Sequence, residues 1–118
     1  MVKKSGNSYI PERGDVVWIE LDPSLGSEMK KTRPALVISP FNYNKKVGLA
    51  LFYPITSHQK GYPFEVLVQL QDNTKSVILA DQIKSLDWKI RNTQFKEQVS
   101  LEIINEVLEK LSVLISLR

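Results

Sequence analysis

Apolar positions along this chain change period once, near residue 100. Before that point the apolar runs are short and bounded by Gly, Pro, Asn or Asp, as strands are. Val16-Val17-Trp18-Ile19-Glu20-Leu21 puts Val17, Ile19 and Leu21 on one face. Asp22-Pro23 ends the run, because proline cannot donate to a ladder. After a polar loop from Ser24 to Thr32, the segment from Arg33 to Ser39 reads as a strand apolar on both faces, stopped by Pro40. Asn42 to Lys46 reads as a loop or short helical turn, and Val47 to Ile55 as a second doubly apolar strand. Gly61 and Pro63 punctuate the polar loop from Thr56 to Pro63. Phe64 to Leu70 then alternates, with Phe64, Val66, Val68 and Leu70 on one face. A turn at Asp72 to Lys75 leads into a short strand from Ser76 to Ala80, and Asp81 to Trp88 reads as a loop returning to strand. About five or six antiparallel strands result, enough to curl into a small barrel.

Beyond residue 100 the spacing becomes helical: Leu101, Ile104, Leu108, Leu111 and Ile115 recur every three or four residues, with Glu102, Glu106 and Glu109 off that line. Ser100 is placed to cap the helix, and Glu102 lies in the first turn, where the dipole favours an anion. Too short to be stable alone, the helix must pack its apolar stripe on the sheet. The expected fold class is therefore α+β, dominated by β, as one domain over residues 1–118 with a flexible lead at 1–10. Lys3 and Lys4 are not followed by an apolar core of the secretory kind. The longest apolar candidate, Leu111 to Leu117, is far below the roughly 20 residues of a membrane span. A soluble, cytoplasmic protein is expected, with no membrane partner.

Composition narrows the chemistry. With no cysteine among 118 residues, disulfides, thiolate catalysis and cysteine-ligated metals are excluded, and a single histidine removes sites needing two imidazoles from one chain. The net charge of +3 permits a phosphate-bearing partner without requiring one. Its distribution says more: between Glu28 and Lys46, five cations (Lys30, Lys31, Arg33, Lys45, Lys46) face one acid. Such a cluster suits phosphates, although loop lysines are commonly just solvated.

Arg33 differs from those lysines. Pro34 pushes its backbone toward an extended conformation, so its guanidinium stands at the mouth of a rigid strand, suited to bidentate phosphate contact or to a surface salt bridge. His58 is of the residue type that most often serves as a general base but has no orienting partner in the sequence, and a histidine in a polar loop is usually inert. Asp15, Glu20 and Asp22 match no carboxylate metal motif, and no phosphate-binding glycine loop or nucleophile elbow is present, so neither metal nor cofactor is expected. Trp18, Phe41, Tyr43, Tyr62 and Trp88 lie in or beside loops rich in amides and lysines, an arrangement that can stack unpaired bases or simply pack a sheet.

Taken in order, Gly14-Asp15-Val16-Val17-Trp18, Asp22-Pro23 with Gly26-Ser27-Glu28, and Arg33-Pro34-Ala35-Leu36-Val37-Ile38-Ser39-Pro40 resemble the opening of the MazF/PemK family of toxin endoribonucleases. The likeness continues through Pro54-Ile55-Thr56-Ser57, Lys60-Gly61-Tyr62-Pro63-Phe64-Glu65-Val66 and Leu79-Ala80-Asp81-Gln82-Ile83-Lys84-Ser85, covering Tyr9 to Leu117. The resemblance implies an SH3-like barrel with a C-terminal helix and a homodimer with RNA grooves between subunits. It also implies a MazE-type antitoxin partner whose acidic, disordered tail fills those grooves.

The implied reaction is metal-independent, sequence-specific cleavage of single-stranded RNA, with the 2′-oxygen attacking phosphorus to leave a 2′,3′-cyclic phosphate and a 5′-hydroxyl. By resemblance, Arg33 steadies the phosphorane charge, Thr56 hydrogen-bonds the scissile phosphate, and Glu28 is the candidate base or organises the loop beside Arg33. Ser27, Lys60, Asp81 and Gln82 match RNA-contacting positions. Two other readings use the same fold: a non-catalytic RNA-binding module, and a toxin that poisons DNA gyrase.

Overall fold

The computed structural model describes residues 8–21 and 31–117. Nine elements follow one another: β1 (Asp15–Glu20), β2 (Thr32–Val37), α1 (Phe41–Val47), β3 (Leu49–Thr56), β4 (Glu65–Gln69), β5 (Lys75–Leu79), β6 (Lys84–Asp87), β7 (Gln94–Gln98) and α2 (Leu101–Ile115). Seven strands form one curled antiparallel sheet: six run in the order β4-β5-β3-β2-β1-β7, and β6 lies off this path, paired with β3. β3 is its spine: one edge pairs with β2, while the other serves β6 over Leu49–Phe52 and β5 at Ile55 and Thr56. That fork lets the sheet bend around itself, the strand-dominated half-barrel with C-terminal helix that the sequence predicts.

The predicted faces hold. Val17, Ile19 and Leu21 share one side of the sheet with Ala35, Val37, Ala50, Phe52 and Trp88. Val66, Val68 and Leu70 share the other with Leu36, Ile38, Tyr53 and Ile55. β2 and β3 feed both clusters, which is why their sequences are apolar at nearly every position. Arg33 and Thr56 end up at one end of this pair.

Four details depart from the sequence reading. Residues 41–47 form a true helix, stopped by Gly48 at φ +82° and organised by buried Asn44. The Asn44 amide donates to the carbonyls of Pro11 and Ser39, and its side-chain oxygen accepts from the Ser39 hydroxyl. Trp88, considered above as a base-stacking ring, is 7% exposed and donates its indole N–H to the Asn44 carbonyl, so it is core. Tyr9, within the lead expected to be flexible, is buried and donates its hydroxyl to Asp15 at 2.6 Å; residues 1–7 lie outside the described residues. Strand β7 has no counterpart in the expected set, because Gln-Phe-Lys-Glu-Gln shows no apolar alternation; it forms by pairing with β1.

Helix α2 starts as predicted, with the Ser100 hydroxyl accepting from the backbone of Ile103 at 3.3 Å. Its inward face is Ile103, Ile104, Val107, Leu108 and Leu111, and Val107 is fully buried. Leu101 and Ile115, counted in the predicted stripe, are the first and last helical residues and are exposed. Among the described residues no helix is long and apolar enough to cross a membrane.

Candidate active site

The β2–β3 register pairs Ala35 with Pro54 and Leu36 with Tyr53. Continued two residues toward the strand ends, it sets Arg33 opposite Thr56. Directly opposed residues share a face, with Cβ atoms about 5 Å apart, so residues 23 positions apart in sequence meet at the rim. Pro34 holds the backbone next to Arg33, and the guanidinium is exposed with no ion-pair partner among the described residues. The Thr56 hydroxyl oxygen accepts from the backbone N–H of His58 at 3.1 Å, which leaves its proton free for an acceptor in the cleft.

Two concavities meet at Thr56. The first, about 400 Å³, takes in Arg33, Pro34, Pro54, Thr56, Trp18 and Lys96. The second, about 390 Å³, is lined by Thr56, His58, Lys60, Tyr62, Asp81 and Gln82, with Glu65 and Leu79 at its base. The described candidates therefore line two adjoining concavities that share Thr56, a trough with Arg33 on one side of it and Lys60, Asp81 and Gln82 on the other. Ser27 and Glu28 lie outside the described residues.

Glu65 builds the wall of the second concavity. Its carboxylate accepts from three successive backbone N–H groups, those of Lys60 (3.0 Å), Gly61 (3.1 Å) and Tyr62 (3.3 Å). Gly61, at φ +76°, supplies the left-handed residue that this wrap requires. Across the trough, Tyr62 donates its hydroxyl to Asp81 Oδ2 at 2.5 Å. That bond raises the Tyr62 pKa above the ordinary phenol value, since ionisation would set two anions side by side. Asp81 Oδ1 is buried and has no hydrogen-bond partner among the described residues. His58 lines the trough through an exposed side chain, and only its backbone N–H is engaged.

Of the basic cluster read from residues 28–46, Glu28 and Lys30 lie outside the described residues, and Lys45 and Lys46 fold away from Arg33. Lys45 and Lys46 close α1, next to the start of β3, whereas Thr56 ends that strand; seven steps of about 3.3 Å separate them by roughly 23 Å. Among the described residues, the cations of the trough are Arg33 from β2, Lys60 from the β3–β4 loop and Lys96 from β7. Glu65 and Lys96 were not selected from sequence. A lone acid opening a half-buried strand was a usable signal for Glu65; Lys96 had none, because its strand went unrecognised. Among the described residues no group of three or more His, Cys, Asp or Glu side chains is placed to hold a metal ion.

Residues 12–115 match the family of PemK-like, MazF-like toxins of type II toxin–antitoxin systems. The endoribonuclease toxin MazF of Escherichia coli K12 is 45% identical over 107 residues, spanning 91% of this chain and 96% of the relative. The endoribonuclease PemK of Escherichia coli is 33% identical, spanning 89% and 82%. In three dimensions, MazF from Deinococcus radiodurans superimposes with a TM-score of 0.82 at 39% identity, covering 93% of this chain and all of that one. A MazE–MazF complex from the same organism gives 0.81 at 36% identity, with 94% and 100% covered.

Proposed function

Because the chain belongs to the PemK-like, MazF-like family of type II toxins, we propose that it is an endoribonuclease toxin that cuts single-stranded mRNA in the trough centred on Thr56. It thereby arrests translation and growth, acts in the bacterial cytoplasm, and works as a homodimer held in check by a MazE-type antitoxin. The observation that carries the reading is the convergence of a guanidinium and a hydroxyl, Arg33 and Thr56, at the rim of one strand pair.

Cleavage without a metal needs few parts. The ribose 2′-hydroxyl loses its proton to a base, and its oxygen bonds to the adjacent phosphorus. The P–O5′ bond breaks, and the leaving oxygen takes a proton; the products are a 2′,3′-cyclic phosphate and a 5′-hydroxyl. As the pentacovalent state forms, negative charge grows on the non-bridging oxygens. Arg33 supplies two parallel N–H donors to that charge, and Thr56 one O–H. Arg33 also stands ready to protonate the leaving oxygen. Glu28 is assigned as base or as organiser of the loop preceding Arg33, while Ser27, Lys60, Asp81 and Gln82 hold the strand and read bases.

An acidic, disordered antitoxin tail fits the same trough, since its carboxylates would meet the three cations that RNA phosphates use. Incubating purified protein with single-stranded RNA in EDTA and mapping both fragment ends tests the proposal. Cyclic phosphate and 5′-hydroxyl ends at a recurring short motif are expected. RNA left whole by well-folded protein would refute it and favour a binding module or a toxin with another target.

A further inference from the structure

We propose that Lys96, delivered into the Arg33–Thr56 concavity by a β-bulge, is a second contact for the RNA backbone, held ready by Glu97 and masked by Asp72. The inference rests on the trough being the RNA site.

The bulge is explicit in the β1–β7 register. Asp15 pairs with Gln98 and Val16 with Glu97, but Val17 pairs with Phe95, so Lys96 has no residue opposite. In a regular strand successive side chains point to opposite faces. Here the extra residue turns Lys96 to the same side as its neighbour, and Lys96 Nζ lies 2.6 Å from Glu97 Oε2. Bulges often re-aim a side chain toward a functional site. The Lys96 side chain is 10% exposed, lies 5.6 Å from the centroid of the Trp18 ring, and lines the concavity that holds Arg33 and Thr56.

The two carboxylates near Lys96 differ in what it takes to move them. Glu97 is 5% exposed and accepts from the Gln71 backbone N–H through both oxygens (3.0 and 3.3 Å), so it is fixed. Asp72 is 53% exposed, its closer oxygen stands 3.6 Å from Nζ, and its other oxygen accepts from the Thr74 backbone at 3.0 Å. Moving Asp72 aside therefore costs little. A lysine that served only to neutralise buried Glu97 would not need to face a cleft. This one has a fixed anion behind it, an aromatic wall beside it and a displaceable anion in front, which is how a stored phosphate-binding cation is built.

The test measures binding of an uncleavable oligonucleotide, with 2′-deoxyribose at the cut site, across a salt series. Lys96→Met is expected to weaken binding about tenfold whatever the base sequence. It should also lower the slope of log affinity against log salt by about 0.7, one phosphate contact on a single strand. Asp72→Asn leaves the Lys96–Glu97 pair intact and should tighten binding about two- to fivefold, an effect that vanishes in the Lys96→Met background. If Lys96→Met fails to fold, unchanged affinity in Asp72→Asn is enough to overturn the role. Cleavage of the all-ribose oligonucleotide separates the two readings. Wild-type protein that neither binds nor cuts overturns the RNA site itself; protein that cuts, with affinity and slope unmoved in both variants, overturns Lys96 alone.

Discussion

Tyr62 donates a hydrogen bond from its hydroxyl to one oxygen of Asp81 in the second concavity, and the other oxygen of that carboxylate is buried with no partner among the described residues. Asp81 lines that concavity, and a carboxylate there favours a ligand that brings a donor, such as the exocyclic amino group of a base. The phosphate, by contrast, is the same in every nucleotide. On the proposed reading, the trough divides into a half for the backbone and a half for the bases.

From that division comes a first expectation about catalysis. Arg33→Ala should lower cleavage about 10²- to 10³-fold on every RNA tested, the cost of removing one preorganised donor from a developing oxyanion. Thr56→Val, which keeps shape and loses a neutral donor, should cost about 10- to 100-fold. Arg33 is exposed at the strand end, so its variant should melt with the wild type. Single-turnover rates beside thermal melts measure both; full activity in Arg33→Ala would remove it from the chemistry.

Asp81→Asn makes a different demand. It exchanges an acceptor pair for one acceptor and one donor, so the set of cut sites should shift while the best substrate is still cut within about tenfold of the wild-type rate. Tyr62→Phe frees Asp81 Oδ2 and should relax preference in the same direction. Sequencing the ends produced from a random RNA pool decides the point: equal loss at all sites would place Asp81 with Arg33 rather than with base selection.

How much of this was visible beforehand follows from what each element depends on. Strands β1 to β5 carry their own apolar pattern; Arg33 stood out by its place before Pro34 at a strand mouth, and Thr56 only through the family resemblance. β7 carries no such pattern: its residues are polar because one side meets the cleft, and β1 imposes the strand from outside. Lys96 was hidden with it. The basic cluster failed for the opposite reason, since closeness in sequence put Lys45 and Lys46 beside Arg33 until the length of β3 drew them apart. Trp88 looked like a loop aromatic only because the partner of its indole, Asn44, lies 44 residues away.

Tyr53 allows a test of the core that is independent of RNA. The ring is fully buried, its hydroxyl has no partner among the described residues, and burial pushes its pKa up to about 12. Tyr53→Phe removes a hydroxyl that folding strips of water, so stability should rise by about 1 kcal/mol at neutral pH. The alkaline limb gives the sign. An unfolded tyrosine ionises near pH 10 and the folded one near 12, so between those values the unfolded chain holds fewer protons and stability falls as pH rises. That fall should be shallower in Tyr53→Phe. Denaturant melts at pH 7 and pH 11 read both effects, and a destabilised variant at pH 7 would mean the hydroxyl has a partner after all.

Gly14 separates two reasons for a glycine. Its φ is +95°, and a Cβ built there would lie 2.9 Å from Cδ1 of Ile104 on α2. Both of its backbone groups are committed, the N–H to the Val37 carbonyl and the carbonyl to the Val99 N–H, so the backbone cannot rotate away. The atom it would strike is the tip of a flexible side chain and can yield, whereas the positive φ cannot. Gly14→Ala should therefore cost about 1–3 kcal/mol. Ile104→Val, costing about 0.5–1.5 kcal/mol alone, should not rescue it. In a double-mutant cycle of urea melts the two losses should add. A double variant more stable than Gly14→Ala would show instead that contact with α2, not backbone strain, keeps glycine at this position.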